Sequence, residues 1–125
     1  MKPPKATEGE IHATIAEFLD WVLLPPAMYT TFPAGWGRLG KATAGRLRGA
    51  GLKPGMPDIL IFHNGRATGI ELKAEKGRLS DNQIAMHERL AMAGVRVYVC
   101  HTTEEVLAAL ESASLPRRNL KTEAA

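Results

Sequence analysis

The sequence holds little that would suit export or a membrane. It has one cysteine, Cys100, so no intrachain disulfide can form, which fits a reducing compartment. Its longest apolar stretch, Trp21 to Met28, contains Pro25 and Pro26 and falls far short of the roughly 20 residues a membrane helix needs. Met1 to Glu10 carries no apolar run of the signal-peptide kind. A soluble cytoplasmic protein, with no membrane partner, is expected. Metal-ligand spacing is also missing among His12, His63, His87 and His101, which read as ordinary surface or strand residues.

Acidic residues are absent from Thr30 to Pro57, although Arg38, Lys41, Arg46, Arg48 and Lys53 all lie there. A second basic group, Arg117, Arg118 and Lys121, sits near the end of a chain whose net charge is +3. Segregated positive charge suits a surface that binds phosphate backbones. It equally suits a solvated loop and tail. Two nucleotide-binding patterns start in the same stretch, and both fail. Gly35-Trp36-Gly37-Arg38-Leu39-Gly40 matches a dinucleotide fingerprint, but Gly45, Gly49 and Gly51 interrupt the long helix it requires. The P-loop-like start at Gly35 has Ala42 where a Mg²⁺-binding Ser or Thr belongs. No nucleotide cofactor is expected. Trp36 is free to stack on a base or to anchor the loop.

What is present is a single domain's worth of chain, 125 residues with 45% apolar content. Ile11, Ile15, Phe18 and Val22 recur at helical spacing, so a first helix is predicted from about Glu10 to Leu23, ended by the two prolines. Met28 to Phe32 suits a short strand. Pro33 to Gly55 holds seven glycines and reads as an irregular basic loop with one helical turn near Ala42 to Leu47. Asp58–His63 and Arg66–Lys73 flank Asn64-Gly65, the strongest short hairpin cue. Ser80 and Gln83 form a capping box for a helix carrying Ile84, Leu90 and Ala91 and stopped by Gly94. A buried strand, Val95 to Cys100, follows. Thr102 and Glu105 open a last helix with Val106, Leu107 and Leu110 inward. The order predicts an α/β fold with a mixed central sheet flanked by helices. Its ordered core should cover about residues 10–112, with residues 113–125 as tail.

A two-residue turn at Asn64-Gly65 fixes the register. His63 faces Arg66, Ile61 faces Thr68, Ile59 faces Ile70, and Asp58 falls opposite Glu71. Facing residues have Cβ atoms about 4.5–5.5 Å apart. Two carboxylates so placed destabilise the sheet unless something offsets their repulsion, and a divalent cation would do so. Lys73 lies two residues beyond Glu71, hence on the same face of the strand. Hard oxygen ligands with a neighbouring ammonium suit Mg²⁺- or Mn²⁺-assisted phosphodiester hydrolysis. The bland alternative makes Asp58 a turn residue and Lys73 an exposed strand end.

Gly55-Met56-Pro57-Asp58, followed after twelve residues by Glu71-Leu72-Lys73, resembles the signature of the PD-(D/E)xK nucleases. The longer series is more specific. Gly55 to Leu60, Gly69 to Lys73, Gly77-Arg78-Leu79-Ser80, Gln83 and Gly94-Val95-Arg96-Val97 together resemble the VRR-NUC (virus-type replication–repair nuclease) family, over about Glu10 to Leu110. The resemblance implies a restriction-endonuclease-like core and Mg²⁺ or Mn²⁺ held by Asp58, Glu71 and the Leu72 carbonyl. It implies catalytic roles for Lys73 and, near the site, Gln83, whose capping box alone also explains it. It implies an acid from the first helix, where Glu10 and Glu17 both qualify and Glu10, at the helix start, is preferred. Lys76 and Arg78, with Arg38, Lys41, Arg46, Arg48 and Lys53, are the candidate DNA contacts. Small stand-alone relatives look like Holliday-junction resolvases and tend to be homodimers. A homodimeric DNA endonuclease of a bacterium or phage-infected cell is therefore the leading expectation. The rivals are a non-catalytic DNA-binding module on the same fold and a restriction- or repair-type duplex nuclease.

Overall fold

The structure is a computed structural model that describes residues 6–32 and 41–120. Four helices and four strands alternate along it. Helix α1 (Glu8–Val22) leads to strand β1 (Met28–Thr31), helix α2 (Lys41–Gly49), strands β2 (Ile59–His63) and β3 (Arg66–Leu72), helix α3 (Asp81–Met92), strand β4 (Arg96–Cys100) and helix α4 (Thr103–Ser112). The strands form one mixed sheet in sequence order, antiparallel from β1 to β3 and parallel between β3 and β4. No described helix is long and apolar enough to cross a membrane.

The hairpin has the expected register, with His63 paired to Arg66 and Ile59 to Ile70. Asn64 and Gly65 both take positive φ, as a primed two-residue turn demands. Strand alternation then divides the sheet into two faces. One presents Ile59, Ile61, Ile70, Leu72 and Cys100, which pack on Ile15, Leu19 and Val22 of α1 and Val106 and Leu110 of α4. Glu71 and Lys73 alternate with that set and point to the other face, where α3 lies.

Several elements differ from the expectation. Helix α1 starts two residues earlier, because Thr7 caps it and accepts a hydrogen bond from the Glu10 amide. Instead of one helical turn, α2 runs for nine residues and buries none of them. The segment 33–40, with Trp36, Arg38 and the glycine-rich patterns, lies outside the described residues.

Helix α3 does not turn Ile84 and Ala91 inward; both are exposed, and Met86 is its one buried residue. Its inner face is Gln83, Met86, His87 and Leu90, and two of these four are polar because they meet a carboxylate. Strand β4 lies at the sheet edge, so only Cys100 of its five residues is buried. At α4, Thr102 caps the Glu105 amide, but the Glu105 carboxylate bonds the His101 amide, one residue before the cap.

Residues 113–120 are not a free tail. Leu115 is buried, Leu23 bridges to Arg117, and the Arg118 amide donates to the Val22 carbonyl at 2.8 Å. Arg117 pairs with Glu111, and Arg118 lies over the Trp21 ring. This end of the chain uses its arginines to close the domain over the end of α1.

Two glycines place the functional segment. Gly69 lets Pro57 approach β3: a Cβ there would meet Pro57 Cγ and Val97 Cγ2, each at 3.0 Å. Gly55 has a φ of +84°, and a Cβ on it would collide with the Asn82 carbonyl oxygen. Gly65 also has positive φ (+76°) but open space around it. Gly55→Ala is therefore expected to cost at least about 2 kcal/mol, and Gly65→Ala about 1 kcal/mol from backbone strain alone. Urea unfolding of the two variants measures the difference; equal losses would show that the Gly55–Asn82 approach does not matter.

Candidate active site

The loop from Gly55 to Asp58 reaches the sheet where β3 ends, and it delivers Asp58 beside Glu71. The Leu72 amide donates to Asp58 Oδ2 at 2.7 Å, while the Asp58 carbonyl accepts from the Phe32 amide at 3.0 Å. Both ends of Asp58 are thus held by backbone. Glu71 is 1% exposed, and its carboxyl is hydrogen-bonded to that of Asp58. Helix α3 supplies two more partners, one turn apart. Gln83 Nε2 donates to Glu71 Oε2 at 3.2 Å, and His87 Nε2 lies 3.2 Å from Glu71 Oε1. The Gln83 Oε1 atom meanwhile accepts from the Ser80 amide at 2.8 Å, so one side chain caps the helix and holds the acid.

Lys73 is the next residue on this face. Its amide donates to the Cys100 carbonyl at 3.1 Å, extending the β3–β4 pairing by one residue. The residue is 9% exposed, and its ammonium lies 3.5 Å from Glu8 Oε1. These groups line a cavity of about 480 Å³ whose other walls include Arg48 of α2, Lys53, and Asn82 at the start of α3.

Burial disfavours the charged form of Glu71, and the neighbouring Asp58 carboxylate adds to the effect; together they push its pKa up to about 9 against the partial relief from Lys73. Without a metal, Glu71 therefore keeps its proton at neutral pH. Burial also lowers the His87 pKa, which favours a neutral ring beside Glu71.

A VRR-NUC domain profile matches residues 10–104. The chain belongs to the VRR-NUC family. A solved structure of a "VRR_NUC domain protein" superposes with a TM-score of 0.64 and 18% identity, covering 86% of this chain and 88% of that one. At that identity the likeness concerns the fold. No curated protein matches the chain. VRR-NUC domains are nuclease domains, and the cavity lies where Asp58, Glu71 and Lys73 converge.

The structure brings Asp58, Glu71, Lys73 and Gln83 to one place in this VRR-NUC chain. It does not bring Glu10 or Glu17 there. The Glu10 carboxylate accepts from the Thr7 hydroxyl at 3.0 Å, and Glu17 is exposed farther along α1. The acid of the first helix that reaches the cavity is Glu8, which falls before the ordered core expected from about residue 10. Thr7 as a helix cap was the signal that could have found it.

His87 was also passed over, since a lone histidine has no metal-ligand partner in sequence. Its spacing of four from Gln83 was the available clue. Of the basic candidates, Arg48 and Lys53 line the cavity. Lys41, Arg46, Lys76 and Arg78 are exposed away from its walls, with Arg46 near Thr43 at 3.4 Å. Arg38 lies outside the described residues.

The raised pKa of Glu71 has a consequence for stability. The folded pKa of Glu71 lies above its unfolded value of 4.5. Between those values the native state keeps a proton that the unfolded state has released, so stability falls as pH rises. With respect to this group, metal-free protein should be most stable below about pH 4.5 and should weaken progressively toward pH 9. Asp58→Asn removes two of the four influences that raise Glu71, so its loss over the same range should be shallower. Chemical denaturation in chelator at several pH values measures both slopes; a flat profile for the unsubstituted protein would contradict a protonated Glu71.

Proposed function

We propose that the chain is a Mg²⁺- or Mn²⁺-dependent endonuclease that hydrolyses phosphodiester bonds in DNA. The observation that supports this best is the buried pairing of Asp58 with Glu71 beside Lys73. Two carboxylates within hydrogen-bonding distance need either a proton or a cation between them, and their oxygens are the hard donors that Mg²⁺ prefers. Among the described residues no three acidic, His or Cys side chains converge as a metal cage. One or two carboxylates, completed by water and substrate phosphate, are nevertheless the usual protein share of a Mg²⁺ site. Asp58, Glu71 and the Leu72 carbonyl would hold the ion. When bound, it supplies Lewis acidity toward water and charge compensation for the phosphate.

The chain's own residues do the rest. Gln83 and His87 fix the Glu71 carboxylate in one orientation, so little reorganisation remains when substrate arrives. Lys73 places its ammonium where it can orient the attacking water or donate to a phosphoryl oxygen. Glu8 holds that ammonium toward the cavity and fills the role first assigned to Glu10. Arg48 and Lys53 receive the backbone on either side of the reacting phosphate. Lys41, Arg46, Lys76 and Arg78 extend the positive surface.

A homodimer is part of the proposal. One active site cuts one strand, and cutting both strands symmetrically calls for two sites related by a two-fold axis. Branched DNA, such as a four-way junction, offers backbone on several arms to such a surface. An acid–acid–lysine set argues against a non-catalytic binding module, whose function would not need it.

Asp58→Asn and Glu71→Gln should each lower cleavage by at least about 100-fold while the protein remains folded, since each removes an anionic ligand. Arg48→Ala with Lys53→Ala should weaken DNA binding and reduce its salt dependence by about one unit of slope per lost phosphate contact. Assays on single-stranded, duplex, flap and four-way-junction DNA with Mg²⁺ or Mn²⁺, run with light scattering, would test all of this. Near-full cleavage by both acid variants would overturn the reading.

A further inference from the structure

A second cavity, of about 420 Å³, opens at the opposite end of the sheet from Glu71. Its walls include His63 from the end of β2, Arg66 from the start of β3, and Arg96 and Tyr98 from β4, closed by the end of α4 around Ser112. The register explains the convergence. His63 pairs with Arg66, and Thr68, two residues on from Arg66, pairs with Arg96. Alternate residues share a face, so His63, Arg66 and Arg96 stand on one side of the sheet. Farther along the strands, that side is the hydrophobic core.

The charge there is not balanced. The described ion pairs use Glu8, Glu71, Glu105 and Glu111, and none of them reaches Arg66 or Arg96. No Asp or Glu lines the cavity. Arg96 lies 4.8 Å from the centre of the Tyr98 ring, which orients the guanidinium without neutralising it. The α4 carbonyls at this end are already served: those of Ala109, Leu110 and Glu111 accept from the amides of Ala113, Leu115 and Ser114. The two arginines are therefore not needed as helix caps. The Tyr98 hydroxyl donates to Ser112 Oγ at 3.2 Å, which leaves the serine proton available. His63 Nδ1 is buried without a hydrogen-bond partner. A sealed, unpaired nitrogen is better borne as a bare acceptor than as an orphaned N–H, which places the ring proton on Nε2. The cavity thus gathers donors and two unneutralised guanidiniums, a combination suited to a phosphate oxyanion.

We propose that this cavity is a second phosphate-binding site, separate from the catalytic cleft, and that it grips the DNA backbone away from the cut. Arg66 precedes Glu71 by five residues of strand, so the two sites lie about 16 Å apart along β3. The existence of the site rests on the cavity itself; DNA as the source of its phosphate rests on the nuclease reading above.

The test uses the full chain without divalent metal, the Arg66→Gln/Arg96→Gln double variant, and each single variant. Both arginines are exposed, so the variants are expected to fold, and thermal melts check this. Inorganic phosphate titrated into the unsubstituted protein should shift amide NMR signals of residues 63–68 and 94–98, and the double variant should bind it at least about tenfold more weakly. With duplex DNA, the double variant should lose about one unit of salt slope and, once Mg²⁺ is added, should still cleave at saturating DNA. Phosphate binding with an unchanged salt slope would support the site and assign it to a free phosphate ligand. No phosphate response at these residues together with an unchanged slope would overturn the proposal. A chain that binds phosphate here yet cleaves no DNA would instead refute the nuclease reading.

Discussion

The structure is organised around a pair of carboxylic acids that the domain forces together. Buried acids facing each other are an unfavourable arrangement in a sheet, and a fold that merely needed stability would have replaced one of them. Here Glu71 is 1% exposed and all four of its close polar neighbours, Asp58, Gln83, His87 and the more distant Lys73, are arranged around it. The unfavourable pairing persists because the surrounding packing over-determines it, as is expected where strain serves a site.

Much of the fold can be read as support for that pairing. The isoleucines of β2 and β3 hold the hairpin to α1 and α4 and so fix which residues face away from the core. That choice of face turns Glu71 and Lys73 toward α3. Gly69 admits Pro57, and Gly55 admits the first turn of α3, which brings the Asp58 loop and the Gln83 helix to the same end of β3. The cavity is walled by α2, whose side chains bury nothing. A helix with no buried face contributes little to stability, and its sequence is correspondingly free to carry arginine and lysine. The far end of the molecule is closed differently, by Leu115 and the stacking of Arg118 on Trp21.

The hairpin was fully legible in the sequence, because Asn64-Gly65 dictates a turn of known length and alternation does the rest. Asp58 opposite Glu71 followed from that register, and Lys73 from the period of two. What escaped was what depends on tertiary contact. Helix α3 shows apolar residues at Ile84 and Ala91, yet it turns Gln83 and His87 inward, because a buried carboxylate on the sheet rewards donors over methyl groups. Glu8 was hidden because the helix start was set by apolar periodicity, whereas Thr7 and its capping bond extend the helix beyond the last apolar residue. The docking of residues 113–120 had no local signal at all. It depends on a bridge between Leu23 and Arg117, far apart in sequence. In each case local pattern predicted the element and missed its polar partners.

The central claim is that Glu71 keeps a proton beside Asp58 and that, on the proposed function, a divalent cation would displace it. Calorimetry of Mn²⁺ binding to the full chain at pH 7.5, repeated in buffers of different ionisation enthalpy, counts the protons released per ion. With the Glu71 pKa raised to about 9, close to one proton should leave as the metal enters, and Glu71→Gln should bind more weakly and release none. Binding with no proton release, or undiminished binding by Glu71→Gln, would contradict the account.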